Sequence, residues 1–227
     1  MDRSTHIATG LRSSFMAHVT PIVFVVDDDL SIRESLDSLI ARAGWRPALF
    51  ASAQEFLASP RPSSPSCLVL DVNLPDLNGL ELQERIAGER VDMPILFITG
   101  HGDIPMSVQA MKAGAVEFLT KPFTPEVLLN SIRSALERSR MCLDEEASLQ
   151  ALRNRHKSLS RREREVMALV VRGRLNKQVG GDLGISEITV KKHRGQAMHK
   201  MHAKSLPELV SLAARLNLET AGETGSL

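Results

Sequence analysis

Short apolar runs alternate with longer amphipathic segments from residue 22 to about residue 140. The apolar runs lie at 22–26, 46–50, 67–70, 94–98 and 116–119. Apolar residues recur every three or four positions at about 30–43, 52–59, 79–89, 104–113 and 124–140. The first set predicts strands and the second predicts helices. Their alternation predicts an α/β fold in which helices cover both faces of a parallel five-stranded sheet.

The strand pattern ends after residue 140. Segment 141–157 contains helix formers and few breakers, which predicts a linker that is partly helical. Helical spacing returns at about 161–172, 175–183, 187–201 and 206–216. The second half is therefore predicted to be an all-α domain of four helices.

Serine and glutamate pairs mark several of the predicted helix starts. Capping boxes of the form S-x-x-E are predicted at Ser52 with Glu55, Ser160 with Glu163, and Ser205 with Glu208. Ser186 stands where an N-cap is needed before the helix at 187–201. In contrast, the sequence SPRPSSPS at 59–66 suits neither a helix nor a central strand, and it predicts a surface loop.

These patterns divide the chain into five parts. We predict a disordered N-terminal extension at 1–20, an α/β domain at 21–140, a linker at 141–157, a helical domain at 158–217 and a disordered tail at 218–227. Two domains suit a chain of 227 residues, because one domain typically spans about 100–200 residues.

Composition places the chain among ordinary globular proteins, with 43% hydrophobic and 24% charged residues. Its apolar runs are shorter than the roughly 18–20 residues that span a bilayer, and residues 1–20 lack the apolar core of a signal peptide. We therefore expect a cytoplasmic protein without a membrane partner. Cys67 and Cys142 fit neither a disulfide framework nor metal-ligand spacing, and we expect reduced thiols.

Charge is distributed unevenly between the two halves. Residues 1–150 contain 13 Lys and Arg against 20 Asp and Glu, a net charge of −7. The remaining residues contain 15 against 7, a net charge of +8. A basic half attached to an acidic one favours binding to nucleic acid through the second half. A solvated basic surface without a ligand is the alternative.

Polar side chains stand at the carboxyl ends of four predicted strands. Asp27 and Asp28 end the first, Asp71 the third, Thr99 the fourth and Lys121 the fifth. The carboxyl ends of parallel strands meet at one edge of a sheet, so these groups should share a crevice. Neighbouring carboxylates repel each other unless a cation neutralises them. Mg²⁺ suits the site, because it is a hard cation that prefers oxygen ligands.

Such a site equips Asp71 to act as a nucleophile on phosphorus and form an aspartyl-phosphate. The metal and the Lys121 ammonium would offset the charge on the phosphoryl oxygens, and the Thr99 hydroxyl could then bond one of them. Taken one at a time these residues have simpler interpretations. An aspartate after a strand often caps a helix, and Lys-Pro often belongs to a loop.

Residues 176–201 predict a helix-turn-helix: a helix, a tight turn through Gly184, Ile185 and Ser186, and a second helix rich in cations. On the second helix Val190, Ala197 and Met201 share the face predicted to meet the domain core. The predicted DNA contacts are Lys177, Thr189, Lys191, Lys192, His193 and Arg194. Lys191 and Lys192 could reach guanine edges or phosphates, whereas His193 and Arg194 are predicted to meet phosphates.

The segments VFVVDDD (23–29), LVLDVNLPDLNGLEL (68–82), ILFITGHGD (95–103) and AVEFLTKPF (115–123) resemble the receiver-domain signature in order and spacing. The run at 100–123 is similar to the FixJ branch of the NarL/FixJ family of response regulators. Residues 159–210 resemble the four-helix LuxR-type DNA-binding domain. The departure is Val179-Gly180 where the family usually has Ile-Ala, followed by Gly181, and adjacent glycines weaken a helix. Gly195 also lacks a side chain that some relatives use on DNA.

The resemblance implies a (βα)5 flavodoxin-like receiver that a sensor histidine kinase phosphorylates on Asp71. It implies Mg²⁺ binding by Asp27, Asp28, Asp71 and the backbone carbonyl of Asn73. It assigns Thr99 and Lys121 to reading the phosphoryl group, assigns Phe118 to an aromatic switch, and implies a cis Lys121–Pro122 peptide bond.

Together these features predict a phosphorylation-dependent transcription regulator of a two-component system, and not an enzyme. Phosphorylation is expected to make the receiver dimerise through the face around 105–118 and bind promoter DNA, with RNA polymerase as a candidate partner. Release of a masked DNA-binding face is the alternative mechanism. A haloacid-dehalogenase-type phosphatase would need a carboxylate at Asn73, and a nucleotide-binding oxidoreductase would need G-x-G-x-x-G after the first strand. A phosphate-independent scaffold would need an incomplete acidic pocket.

Overall fold

A computed structural model describes residues 19–100 and 104–216 of the chain. The predicted disordered tail, and all of the predicted N-terminal extension except residues 19–20, lie outside the described residues. The chain divides into two compact units, with the boundary between Leu143 and Asp144. Among the described helices, none is long and apolar enough to span a membrane.

The first unit is built on a five-stranded parallel sheet with the strand order β2-β1-β3-β4-β5. The strands are β1 (Ile22–Val26), β2 (Arg46–Phe50), β3 (Ser66–Asp71), β4 (Ile95–Thr99) and β5 (Glu117–Thr120). All residues of β1, β3 and β4 are buried, which suits central strands that helices cover on both faces. The sequence prediction of a parallel α/β sheet is therefore confirmed.

Five helices connect and follow these strands. They are α1 (Leu30–Arg42), α2 (Ala53–Leu57), α3 (Gly79–Ile86), α4 (Ile104–Lys112) and α5 (Pro125–Lys157). Asp29 caps α1 by accepting N–H bonds from Ser31 and Ile32 at 2.8 and 3.4 Å, and Asn78 caps α3 through Leu80. These side chains bind amide groups that lack partners in the first turn of a helix.

Two hydrophobic clusters form the core of the first unit, one on each face of the sheet. In one cluster the rings of Phe24, Phe50 and Phe56 lie 5.6–6.0 Å apart in stacked and edge-to-face pairs. The other cluster contains Leu36 and Ile40 of α1 and Leu128 and Ile132 of α5, and the partly buried Trp45 packs against it. The single tryptophan therefore belongs to the receiver-like unit.

Several element boundaries differ from the sequence prediction. Strand β3 begins at Ser66 and ends at Asp71, so Asp71 is part of the strand and Ser66 is not part of the loop. Helix α3 ends at Ile86, before Gly88, because glycine is a poor helix former. Helix α5 continues without a break to Lys157, so the predicted linker is helical throughout.

The second unit contains four further helices. They are α6 (Arg161–Val171), α7 (Asn176–Leu183), α8 (Glu187–Met201) and α9 (Leu206–Arg215). Two adjoining clusters of buried aliphatic side chains fill the space between them, and the end of α5 contributes Leu152 to one cluster. The all-α architecture predicted for this half is confirmed.

Only one of the three predicted capping boxes has the expected form. Glu163 accepts from the backbone N–H of Ser160, and Ser160 accepts from that of Glu163. In the other two, Glu55 and Glu208 accept instead from Ala51 and Lys204, one residue before the capping serine. Both serines still cap their helices, so the prediction was wrong about the glutamate partner alone.

The turn between α7 and α8 depends on two glycines. Gly184 has a φ of 66°, in the left-handed region that glycine adopts without a Cβ clash. A Cβ at Gly180 would lie 2.7 Å from the backbone oxygen of Ile185. Helix α7 and the turn therefore approach each other more closely at Gly180 than any larger residue permits.

Candidate functional sites

Three carboxylates meet at the carboxyl edge of the sheet, as the sequence predicts. Asp27 and Asp28 follow β1 and Asp71 ends β3, and one oxygen from each lies within 4.8 Å of the others. Asp27 is fully buried, Asp71 is 8% exposed and Asp28 is exposed. The cluster thus has two buried ligand groups and one group that faces solvent.

Lys121 supplies the positive charge in this cluster. Its ammonium donates to the carboxylates of Asp27 and Asp71, each at 2.8 Å. Burial disfavours the ammonium, but these two carboxylates outweigh it and raise the pKa of Lys121. The Lys121–Pro122 peptide bond is cis, as predicted from the resemblance.

The backbone around β1 fixes the orientation of Asp27. Its carboxylate accepts from the N–H of Asp29 at 2.9 Å, and its carbonyl accepts from the guanidinium of Arg33 at 2.6 Å. Burial raises the pKa of Asp27, although the bond to Lys121 works in the opposite direction. A further cation close to Asp27 would therefore stabilise the ionised form of this buried carboxyl group.

The charge of the cluster fits a divalent cation. Three carboxylates and one ammonium sum to two negative charges when all are ionised, and oxygen ligands of this kind suit Mg²⁺. The carboxylate of Asp29, the residue after Asp28, instead caps α1. The side chains that could hold such an ion are those of Asp27, Asp28 and Asp71.

Thr99 and Phe118 lie on the neighbouring strands β4 and β5. Thr99 is fully buried, and its carbonyl accepts from the N–H of Lys121 at 2.7 Å. The Phe118 ring is partly buried, with its centroid 6.1 Å from that of Phe97. The structure therefore places both predicted switch residues beside the strand end that carries Lys121.

The loop after Asp71 is held by contacts that sequence analysis missed. Asp76 accepts from the backbone N–H groups of Ala53 and Gln54 at 3.3 and 3.0 Å, joining the loop to the start of α2. Burial acts to raise the pKa of Asp76, but several hydrogen bonds from backbone N–H groups, those of Gln54 and Ala53 among them, together lower it. A Cβ at Gly79 would lie 2.6 Å from the Asp71 carbonyl oxygen. Motif spacing does not reveal either contact.

The second candidate site is helix α8. Val190, Ala197 and Met201 are fully buried, which confirms the face predicted for the core. Ser186 caps the helix by accepting from the N–H of Thr189 at 3.2 Å. The hydroxyl groups of Ser186 and Thr189 also bond each other at 2.8 Å, so the Thr189 side chain is engaged at the helix start.

The cations predicted to contact DNA have different surroundings. Lys191 pairs with Glu187 at 3.2 Å, and Arg194 donates to Asn176 at 3.4 Å. Lys177 and Lys192 are exposed, and neither forms an ion pair with another described residue. The Nδ1 atom of His193 is buried without a hydrogen-bond partner in the described chain. A phosphate contact by this residue would therefore need Nε2.

An ion pair at the other end of α8 fixes the helix to its domain. The Lys200 ammonium donates to Glu163 at 2.7 Å, and the same carboxylate caps α6 through Ser160. The Lys200 hydrogen bond, together with the cap and despite burial, lowers the pKa of Glu163. The contact joins the capping box of α6 to the recognition-helix candidate.

Two family models match the chain. The model described as "Response regulator receiver domain" matches residues 23–133, and the one described as "Bacterial regulatory proteins, luxR family" matches residues 157–213. The first match contains the acidic cluster and Lys121, and the second contains the complete helix α8.

The chain is also similar to known proteins over most of its length. The chain is 48% identical to nodulation protein W of Bradyrhizobium diazoefficiens over 89% of each chain. It is 42% identical to the transcriptional regulatory protein FixJ of the same organism, over 86% of this chain and 96% of the relative. The structure of the response regulator StyR matches with a TM-score of 0.77 and 45% identity, covering 86% of this chain and 99% of that one.

Proposed function

Because the chain belongs to the response regulators that join a receiver domain to a LuxR-type DNA-binding domain, we propose that phosphorylation of Asp71 by a sensor histidine kinase controls its binding to promoter DNA. The observation that carries the proposal is the Lys121 ammonium, which bonds both Asp27 and Asp71 at 2.8 Å. A nucleophilic carboxylate beside a fixed cation and an acidic metal-binding cluster is equipped for phosphoryl transfer.

In this reaction an oxygen of Asp71 forms a bond to phosphorus while the bond from phosphorus to the donor nitrogen breaks. Lys121 stays beside the acceptor oxygen and offsets charge on the phosphoryl group. Asn73 donates its backbone N–H to the other side of the carboxylate at 3.0 Å, which orients Asp71. Bound Mg²⁺, held by Asp27, Asp28, Asp71 and the Asn73 carbonyl, would neutralise further phosphoryl charge.

The phosphorylated state is read by Thr99 and Phe118. A phosphoryl group adds acceptor oxygens that draw the Thr99 hydroxyl inward, and the Phe118 ring then turns into the space that this leaves. Repacking of one partly buried ring changes the surface of α4 and β5 nearby. This surface exposes Ile104, Val108 and Met111, whereas Met106 packs against the core.

Dimerisation through that surface would bring two LuxR-type domains to one promoter. A dimer that reads two half-sites binds much more tightly than one domain, because the second contact is intramolecular. In each domain α8 enters the major groove, and Lys191 and Lys192 contact guanine edges or phosphates. The proposed partners are thus a sensor histidine kinase, promoter DNA, RNA polymerase and a second copy of the chain, in the cytoplasm.

Incubation with acetyl phosphate and Mg²⁺, followed by intact-mass measurement, tests the chemistry. We expect uptake of one phosphoryl group per chain, and no uptake by Asp71→Asn, since an amide is a poor nucleophile. DNA binding should increase in the same samples for the wild type alone. Equal uptake by Asp71→Asn would contradict the assignment of the phosphorylated residue.

A further inference from the structure

The side of α8 opposite its buried face carries a stripe of four residues. A helix advances about 100° per residue, which places the stripe across the axis from Val190, Ala197 and Met201. Its members are Ile188, Lys192, Gly195 and His199, and all four are exposed. This outward stripe is the part of α8 that a groove of DNA would meet first.

Ile188 is the unexpected member of the outward stripe. It is the second residue of α8 and is 81% exposed. A single exposed aliphatic side chain is common on protein surfaces and needs no explanation by itself. The position of Ile188 is what distinguishes it, because the first residues of a recognition helix lie nearest to the base edges.

The other side chains of the first turn are already engaged. Glu187 pairs with Lys191 at 3.2 Å, and the Thr189 hydroxyl bonds Ser186 at 2.8 Å. Val190 is fully buried. Ile188 is therefore the first-turn residue of α8 whose side chain is both exposed and without such a contact.

The major groove offers one apolar group to an aliphatic side chain, the 5-methyl group of thymine. We propose that Ile188 is a specificity-determining residue that contacts a thymine methyl in each half-site. This inference rests on the proposed DNA-binding function. Gly195, on the same stripe, supports the proposal because it has no side chain to separate the helix from the DNA. No other atom of the described chain fills its place, since none lies within 4 Å of a Cβ built there. The helix can therefore approach the bases closely two turns after Ile188.

The first test selects binding sites from a random duplex library with the full-length protein activated by beryllofluoride. The selection is repeated with Ile188→Ala. We expect the wild type to enrich at least one thymine position whose preference disappears in the variant. The substitution should leave the far-UV circular dichroism and the melting temperature unchanged, because Ile188 is exposed and alanine favours helix.

The second test removes only the methyl group. Deoxyuridine replaces thymidine at the selected position, and the Kd is measured for both duplexes. The wild type should bind the uracil duplex about fourfold more weakly, the change that corresponds to about 0.8 kcal/mol for one buried methyl group. Ile188→Ala should bind both duplexes equally. The matched control Lys192→Ala should weaken both duplexes but keep the fourfold difference.

Three outcomes would overturn the inference. An unchanged thymine preference in Ile188→Ala, or an equal loss on the uracil duplex for wild type and variant, would show that Ile188 does not read the methyl group. Normal DNA binding by Ile188→Ala with loss of transcription would assign the residue to a protein contact. A wild type that enriches no sequence would instead overturn the proposed function itself.

Discussion

Asp28 and Asp29 are adjacent in the sequence, but their carboxylates have different surroundings. Asp28 contributes an oxygen to the acidic cluster with Asp27 and Asp71. Asp29 accepts from the amide groups of Ser31 and Ile32 at the start of α1. Of these two neighbouring aspartates, one therefore lies in the candidate metal site and the other caps a helix.

We expect Asp28→Asn to raise the Mg²⁺ concentration for half-maximal phosphorylation by about tenfold or more. Removal of a unit charge about 4 Å from a divalent cation costs on the order of 2–8 kcal/mol at effective dielectric constants between about 80 and 20. Asp29→Asn is the matched control and should leave the Mg²⁺ requirement unchanged, since asparagine caps helices as well as aspartate does. Titration of acetyl phosphate reactions with Mg²⁺ measures both variants, and equal shifts would contradict the assignment.

Gly180 and Gly181 are a second pair of identical neighbours with different environments. A Cβ at Gly180 would lie 2.7 Å from the Ile185 oxygen, whereas a Cβ at Gly181 would meet no atom within 4 Å. Both residues lie inside α7, where glycine is unfavourable relative to alanine. Close packing against the turn requires a glycine at position 180, whereas no packing contact requires one at position 181.

Gly181→Ala should therefore stabilise the second unit by about 0.5–1 kcal/mol. Gly180→Ala should destabilise it, because the backbone of the turn must move away from the new methyl group. Urea unfolding followed by far-UV circular dichroism compares the two variants with the wild type. Stabilisation by Gly180→Ala would show that the turn does not approach α7 as closely as described.

At the scale of elements, the Glu163–Lys200 pair connects α6 with the end of α8. Glu163→Gln should lower the free energy of unfolding of this unit by about 1.5–3 kcal/mol at neutral pH, the range for hydrogen bonds to charged groups. Because the folded state lowers the pKa of Glu163 below 4.5, the carboxylate stabilises the fold above that pH. The contribution is lost as the pH falls through the folded-state pKa.

The difference in the free energy of unfolding between wild type and Glu163→Gln should thus be largest above pH 4.5 and become smaller at lower pH. Urea titrations at several pH values measure it. Glu165→Gln is a suitable control, because Glu165 pairs with Arg161 and Arg162 on the exposed side of α6. Surface pairs of that kind contribute little to stability, because solvent screens them. A pH-independent difference for Glu163→Gln would contradict the ion-pair explanation.

Most elements could be predicted from the sequence, because burial on both sides of the sheet requires continuous apolar runs such as IVFVV in β1. The convergence of Asp27, Asp71 and Lys121 also followed, since parallel strands place their carboxyl ends on one edge. The side-chain partners could not be predicted in the same way. Asp76 reaches α2 across 23 residues, and no local pattern records that contact.

Helix α8 shows the same limit within one element. Its core face followed from helical spacing, and Val190 is buried as predicted. The engagement of Thr189 with Ser186 did not follow, because helical spacing does not record a hydrogen bond between hydroxyl groups. Ile188 is exposed, in keeping with its position across the helix axis from Val190. The predicted DNA contacts, which were chosen as cationic or hydrogen-bonding side chains, did not include Ile188.

At the scale of the whole molecule, the proposed activation depends on an apolar surface on α4. Ile104 is 80% exposed at the start of this helix. With beryllofluoride and Mg²⁺ we expect the wild type to sediment as a dimer and Ile104→Glu as a monomer, because a buried unpaired carboxylate opposes association. Phosphoryl uptake by the variant should be normal. Val91→Glu, at a comparably exposed apolar site after α3, should still dimerise.

A wild type that sediments as a monomer with and without beryllofluoride would exclude activation by dimerisation. Release of a masked DNA-binding face would then be the mechanism to examine. In that case DNA binding by a monomer should still rise on activation, whereas a dimerisation mechanism predicts that Ile104→Glu loses the increase.

Trp45 makes the intrinsic fluorescence of the two units different. The chain has one tryptophan and no tyrosine, and all seven phenylalanines lie before residue 144. Emission excited at about 295 nm, where tryptophan alone absorbs, therefore comes only from the unit whose core Trp45 contacts. The LuxR-type unit has no fluorescent side chain of its own. Its unfolding should change ellipticity while leaving fluorescence constant, so the two signals can separate the stabilities of the two units in one intact, unlabelled chain.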